Sequence, residues 1–145
     1  MSIQDMIAQL GQGMLTSVLI YALTLIGAVP LALPLALARG GKSKIARLLT
    51  GAYISFMRGT PLMLQLIAVY FGPWYIFRIR ISDGYRFYAV IIAFVLNYAA
   101  YFAEIYRAGI AAVPKGQREA AAVLGYTNAQ AFFRTVLPQV IKHIL

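Results

Sequence analysis

The sequence predicts an all-α polytopic membrane protein with about three transmembrane helices and a cytoplasmic helix-turn-helix segment. Of the 145 residues, 61% are hydrophobic and only 12% are charged, whereas soluble domains are about 25% charged. The apolar runs are longer than the roughly 20 residues that a spanning helix needs. Lys and Arg produce a net charge of +9, and they cluster between those runs, as in loops that face anionic lipid headgroups.

The composition also limits the chemistry that the chain can perform. Cysteine is absent, and there are only one histidine, His143, and four carboxylates. A membrane-embedded enzyme needs paired acids or a histidine with metal partners, and Glu104, Glu119 and His143 are far apart in sequence. We therefore predict no catalytic residues, no metal site and no cofactor. The excess of cations is attributed to membrane flanks, so no nucleic-acid partner is expected.

Three apolar segments are the predicted spans. The first covers about 14–38, in a stretch with no charge between Met6 and Ala38. Its N-terminal flank has no Lys or Arg, so we expect it to remain in the mature protein rather than to be a cleaved signal peptide. The second span covers about 48–77 and the third about 87–109.

The second span is predicted to break near 58–61, in the segment RGTP. Arg58 is costly at the bilayer centre, by about 2.5 to 3.5 kcal/mol on insertion scales, so it should face protein or water. Gly59 and Pro61 loosen the backbone. Thr60 is expected to cap a second half-helix whose first turn contains Pro61.

The distribution of cations predicts the orientation. The N-terminal tail has no Lys or Arg and the first loop, 39–47, has four, which places the N-terminus outside and that loop in the cytoplasm. The second loop, 78–86, opposes this orientation, because it has three arginines and only Asp83 to offset them.

Asn97, Tyr101 and Glu104 are spaced i, i+4 and i+7, so they form one polar stripe on the third helix. The stripe either lines a translocation path or bonds to a neighbouring helix that Ala99 and Ala103 allow to come close. Glu104 has two candidate partners, which are Arg107 and Arg58.

The segment 114–138 predicts a helix, a turn and a second helix. Pro114 suits a helix start, Gly125 suits a left-handed cap, and Thr127 stands three residues before Gln130, which is the spacing of a capping box. The second helix is expected to run until Pro138 disturbs it. This segment is either a docking site for another protein or an ordinary amphipathic surface helix.

The same segment resembles the EAA signature of the membrane subunits of bacterial ATP-binding-cassette importers. The matching residues are Glu119, Ala120, Ala121, Gly125, Leu137 and Pro138. The segments RGTPLMLQL, 58–66, and AEIYRAGIAAVPKGQREAA, 103–121, resemble the permeases for histidine, glutamine, glutamate and similar polar amino acids. One departure is Thr135, where the family has an aliphatic residue.

The resemblance implies a permease in the bacterial inner membrane. Its implied partners are a second permease subunit in a homo- or heterodimer, an ATP-binding cassette subunit and an extracytoplasmic solute-binding protein. The chain has no GxxxxGK[ST] phosphate loop, so ATP is expected on the partner ATPase. The resemblance of the EAA segment implies that an ATPase docks through Glu119, Ala120, Ala121 and Gly125. The substrate-path candidates are Arg58, Thr60, Gln65, Asn97, Tyr101 and Glu104.

Family members continue past the EAA segment into further spanning helices, whereas this sequence stops at Leu145. The path is then completed by several copies, by another polypeptide, or by a missing part of the same protein. The competing hypothesis is a truncated, permease-derived membrane protein with a structural or regulatory role. Arg58, near a helix N-terminus, is the expected receptor for a substrate carboxylate.

Overall fold

Helices make up the fold in the computed structural model, which describes residues 2–82 and 84–144. Asp83, which the sequence assigns to the second loop, and the side chain of His143 lie outside the described part. Within that part there is no strand. Its helices are α1 (Ile3–Gly40), α2 (Lys44–Gly59), α3 (Leu62–Phe77), α4 (Tyr85–Ala112), α5 (Lys115–Val123), α6 (Asn128–Ala131) and α7 (Leu137–Ile144), with a π-helical turn, Phe132–Val136, between the last two.

Two of these helices are long and apolar enough to cross a membrane alone. They are α1, with 38 residues, and α4, with 28. The pair α2 and α3 meets the same criteria together but is bent by 109° at its break, so the spans number three when the pair counts as one. The predicted fold class, all-α and polytopic, is confirmed. Helix α1 begins at Ile3, well before the predicted start of the first span near residue 14.

Small residues hold α1 against α4. The buried positions of α1 recur every four residues, at Thr24, Ala28, Ala32 and Ala36. This spacing places them on one face, and α4 presents a matching row of buried alanines that includes Ala99, Ala100 and Ala103. Short side chains allow two helices in a membrane to approach closely and gain van der Waals contact. Ile54 of α2 packs into the same core, so three helices share it.

The second predicted span breaks between Gly59 and Leu62. The role predicted for Thr60 is wrong, because Thr60 ends α2 rather than capping α3. Its hydroxyl donates back to the carbonyl oxygen of Phe56 at 2.8 Å, and Pro61 occupies the N-cap position of α3 without any side-chain cap. Thr and Ser hydroxyls commonly bond to the carbonyl four residues earlier, and this local bond competes with capping the next helix.

The C-terminal region folds back on the end of α4. Val136 and Val140 are buried against Val113, and α5 packs on the π-helical turn. Pro138 and its neighbours were expected to disturb the second helix, and a π-helical turn does interrupt the α-helix just before Pro138, although α7 then continues through the proline. In the π-helical turn the Leu137 amide donates to Phe132, five residues back, and this wider turn makes room for the proline ring.

Candidate functional site

Four residues at the break between α2 and α3 form a partly buried hydrogen-bonded group, the helix-break cluster: Met57, Thr60, Gln65 and Asn97. Gln65 Nε2 donates to the Met57 carbonyl at 3.0 Å and to Thr60 Oγ1 at 2.7 Å. Asn97 Nδ2 donates to the Met57 carbonyl at 3.1 Å and to Gln65 Oε1 at 3.0 Å. Only 8% of Gln65 and 5% of Asn97 is exposed. Each amide therefore has its partners within the protein.

This cluster has a clear structural reason. The last carbonyls of a helix have no intrahelical donor, and in a membrane they must find one in the protein. Gln65 from α3 and Asn97 from α4 supply those donors to the end of α2. For Asn97, the structure therefore shows bonding to a neighbouring helix. The bond between Gln65 and Asn97 joins positions 32 apart, and no spacing rule in the sequence indicates it.

The remaining candidates lie at the edge of the cluster. The guanidinium carbon of Arg58 lies 5.4 Å from the centre of the Tyr101 ring, a cation–π contact between α2 and α4. Both side chains are exposed. Glu104 pairs with Arg107, whose Nε donates to Glu104 Oε1 at 2.9 Å, which confirms one of its two predicted partners. The polar stripe thus divides into a buried amide and two surface groups.

Sequence reasoning missed a further contact that positions the break. The hydroxyl of Tyr53 donates to the backbone carbonyl of Leu96 at 2.6 Å, and Leu96 directly precedes Asn97. This bond ties α2 to α4 almost two turns before the end of α2. The sequence signal was weak, because the tyrosine stands in an apolar run where aromatic packing is the ordinary expectation.

The docking candidates lie on the segment from α5 to α6, residues 115–131, which we call the hairpin. Glu119 and Ala120 are exposed, whereas only 2% of Ala121 is exposed because it packs inward. Val123 and Leu124, which were not predicted as site residues, present a large apolar surface, with 88% and 73% exposed. The outer surface of the hairpin therefore combines the carboxylate of Glu119 with apolar side chains and with the exposed cations Lys115 and Arg118.

The two ends of the hairpin turn are fixed by local bonds. Gly125 has a φ of +77°, and the amides of Gly125 and Tyr126 donate to Ala122 and Ala121 in a Schellman arrangement. Thr127 and Gln130 form the predicted capping box, with bonds of 3.3 and 2.9 Å. The predicted turn residues are therefore confirmed as local structure, since each of these bonds joins residues no more than five positions apart.

The site contains no metal-binding group of the usual kind. Within residues 2–82 and 84–144, no three His, Cys, Asp or Glu side chains come together in a way that would hold an ion. The geometry offers an exposed cation, Arg58, at a helix break, and a capped hairpin that exposes the carboxylate of Glu119 beside apolar and cationic side chains.

Comparison with known proteins places this geometry in a family. Residues 28–145 match the family described as "Binding-protein-dependent transport system inner membrane component". The chain is 44% identical over 125 residues to the L-cystine transport system permease protein TcyL of Bacillus subtilis (strain 168), across 84% of this chain and 52% of that protein. It is 44% identical over 110 residues to the putative glutamine transport system permease protein GlnP of Rickettsia conorii (strain ATCC VR-613 / Malish 7), across 76% of this chain and 49% of that protein. The chain spans about half the length of the curated relatives it matches.

A solved structure gives the same result. The chain superposes on the crystal structure of an amino acid ABC transporter with histidines at a TM-score of 0.78 and 36% identity. The superposition covers 99% of this chain and 67% of the other. The chain therefore belongs to the family of inner membrane components of binding-protein-dependent transport systems, and it is similar to the amino-acid permeases within that family.

Proposed function

We propose that this chain is a transmembrane subunit of an ATP-driven importer for polar amino acids and that it docks a separate ATPase through the hairpin. The observation that carries the proposal is the capped hairpin, which stands at the end of α4 with Glu119 and an apolar surface exposed. The relatives are named as permeases for cystine, glutamine and arginine, and this supports a polar amino-acid substrate.

The hairpin has the properties of a docking surface that transmits movement. The exposed Val123 and Leu124 provide apolar area for a partner, and Glu119 provides a directional ionic contact. On its other side, α5 packs on the π-helical turn, and α7 packs on α4. A partner that moves the hairpin would therefore move the end of α4, which is a spanning helix. The ATPase binds the ATP, and this chain needs no cofactor of its own.

In this proposal Arg58 receives the substrate carboxylate. Its guanidinium is exposed at the break between α2 and α3, beside the Tyr101 ring. A planar guanidinium binds a carboxylate through two parallel hydrogen bonds, and every amino acid carries that group. A second permease subunit completes the path, and an extracytoplasmic binding protein delivers the substrate. On this proposal the chain lies in the bacterial inner membrane with its N-terminus outside.

The test is charge reversal at the docking surface. The complex is reconstituted in vesicles, and the uptake of labelled cystine, glutamine and arginine is measured together with ATP hydrolysis. Glu119→Lys is expected to reduce uptake at least about tenfold while hydrolysis continues, because a lost charge contact at an interface costs about 2 kcal/mol or more. Gln117→Lys is the control for an added positive charge on α5: it lies two positions away, about 200° around the helix, and should retain uptake although it also removes the 3.4 Å bond that Gln139 Nε2 donates to Gln117 Oε1.

Equal uptake and coupling in the Glu119→Lys and Gln117→Lys complexes would contradict docking through this surface. The competing structural or regulatory role predicts instead that amino-acid uptake is unchanged when the chain is deleted. Loss of uptake on deletion, restored by the wild-type chain, supports the importer proposal.

A further inference from the structure

A cavity of about 620 Å³ lies between the C-terminal end of α1, the last turns of α4 and the hairpin. Four cationic side chains contribute to its lining and no acidic one does. They come from three segments of the chain, which are the first loop, α4 and α5, so only the pair in the first loop is evident from the sequence. The four are Arg39, Lys42, Arg107 and Arg118.

Most of this positive charge has no partner. Within the described part of the chain the one ion pair joins Arg107 to Glu104, and Arg39, Lys42 and Arg118 form none. Arg39 is held in place because its Nη1 donates to the Arg47 carbonyl at 3.1 Å. Like charges around one cavity repel each other, and the repulsion is relieved when an anion enters.

The other residues that line the cavity indicate which kind of anion it would bind. Leu37, Ile110 and Phe132 add apolar surface to the same cavity. The cavity also lies at the C-terminal ends of α1 and α4, the two helices long and apolar enough to span a bilayer. The ends of spanning helices are where a protein meets lipid headgroups. A phospholipid matches both features, because its phosphate suits the cations and its first acyl carbons suit the apolar residues. Basic pockets between transmembrane helices are known to take such headgroups.

We propose that this cavity binds the phosphate headgroup of an anionic phospholipid, with Lys42 and Arg118 as its main contacts and Arg39 as a fixed third charge. The site is separate from Arg58 and from the outer surface of the hairpin, so the proposal does not depend on amino-acid import. It assigns a structural lipid to the junction between a spanning helix and the hairpin.

The experiment is native mass spectrometry of the full chain in detergent, with phosphatidylglycerol or phosphatidylcholine added at equal concentration. The wild-type chain is expected to retain one phosphatidylglycerol molecule in preference to phosphatidylcholine. The double variant Lys42→Gln/Arg118→Gln should lose at least about tenfold in affinity for phosphatidylglycerol, since each cation near a headgroup contributes roughly fivefold. Inorganic phosphate in large excess should not displace the lipid.

The matched control is Lys44→Gln/Lys115→Gln. It removes the same charge from the same two segments, at exposed residues that do not line the cavity. The control is expected to stay within about twofold of the wild type. An equal loss in both double variants indicates general surface attraction and overturns the proposal. Displacement by inorganic phosphate overturns the lipid assignment. If the Lys42/Arg118 variant fails to fold, the two single variants, each compared with its neighbouring control, give the same answer.

Discussion

Two helix breaks in this chain, between α2 and α3 and between α5 and α6, are stabilised in opposite ways. Between α2 and α3, the break is stabilised from a distance, by Gln65 and by Asn97 of another helix. Between α5 and α6, the break is stabilised by its own neighbours, through the left-handed Gly125 and the capping box of Thr127. At the first break the two amide side chains that supply the donors, Gln65 and Asn97, are buried, whereas the residues of the second break are exposed throughout.

The difference follows from the surroundings of each break. A break inside a bilayer cannot give its carbonyls to water, so side chains from packed helices must supply the donors. A break outside the bilayer has water available and needs only local caps. The first break is therefore part of the tertiary structure, and a substitution at this break should also destabilise the packing of α4. The second is a self-contained unit whose outer surface is free for a partner.

The largest expected effect is at the buried break. Gln65→Leu removes the donor to Met57 and Thr60 and leaves a proton of the Asn97 amide without its acceptor. We expect a loss of about 2 kcal/mol in the free energy of unfolding, since buried polar groups left without partners cost about 1 to 3 kcal/mol. The measurement is reversible unfolding of the chain in mixed micelles, followed by circular dichroism.

Gln12→Leu is the control for that substitution. Gln12 lies in the exposed N-terminal half of α1, and exposed changes of this kind are usually within about 0.5 kcal/mol. If the two variants had the same free energy of unfolding, the amide hydrogen bonds would not stabilise the break between α2 and α3. The contrast drawn between the two breaks would then be wrong.

The next effect concerns the exposed break. Gly125 has a φ of +77° and nothing within 4 Å of the position that a Cβ would take, so Gly125→Ala carries a backbone cost of about 1 kcal/mol and no steric one. We expect hydrogen exchange to become roughly fivefold faster for the amides of the hairpin and to remain unchanged in α4. Faster exchange throughout α4 would show that this break is not self-contained.

Gly116→Ala is the matched control. Gly116 lies in the first turn of α5, also with nothing within 4 Å, and alanine is the better helix former. Exchange in the hairpin should therefore stay the same or slow slightly. Because both variants add one methyl group to the same hairpin, only the backbone conformation distinguishes them.

The two breaks also differ in how far the sequence predicts them. The hairpin was predictable in detail because its determinants, Gly125 and the pair Thr127 and Gln130, act over a few residues. At the buried break, the sequence predicted the position, but assigned Thr60 to the wrong helix. It also offered no sign that Gln65 and Asn97 bond to each other, because that contact depends on how α3 and α4 pack. Pro138 shows the same limit, since the π-helical turn that accommodates it is a feature of the packed C-terminal region.

The smallest expected effect tests whether charge adds to the amide bonds at the buried break. Arg58 lies over the Tyr101 ring at its exposed edge, where a cation–π contact contributes about 0.5 kcal/mol. Tyr101→Leu should lower the free energy of unfolding by about that amount, and Tyr101→Phe, which keeps the ring, should leave it nearly unchanged. The same unfolding measurement applies, with Tyr101→Leu repeated in the Arg58→Gln background. If the loss from Tyr101→Leu persists without the guanidinium, the ring acts by packing alone. If it disappears, Arg58 is held at the break by the ring, in the position from which it would meet a substrate carboxylate.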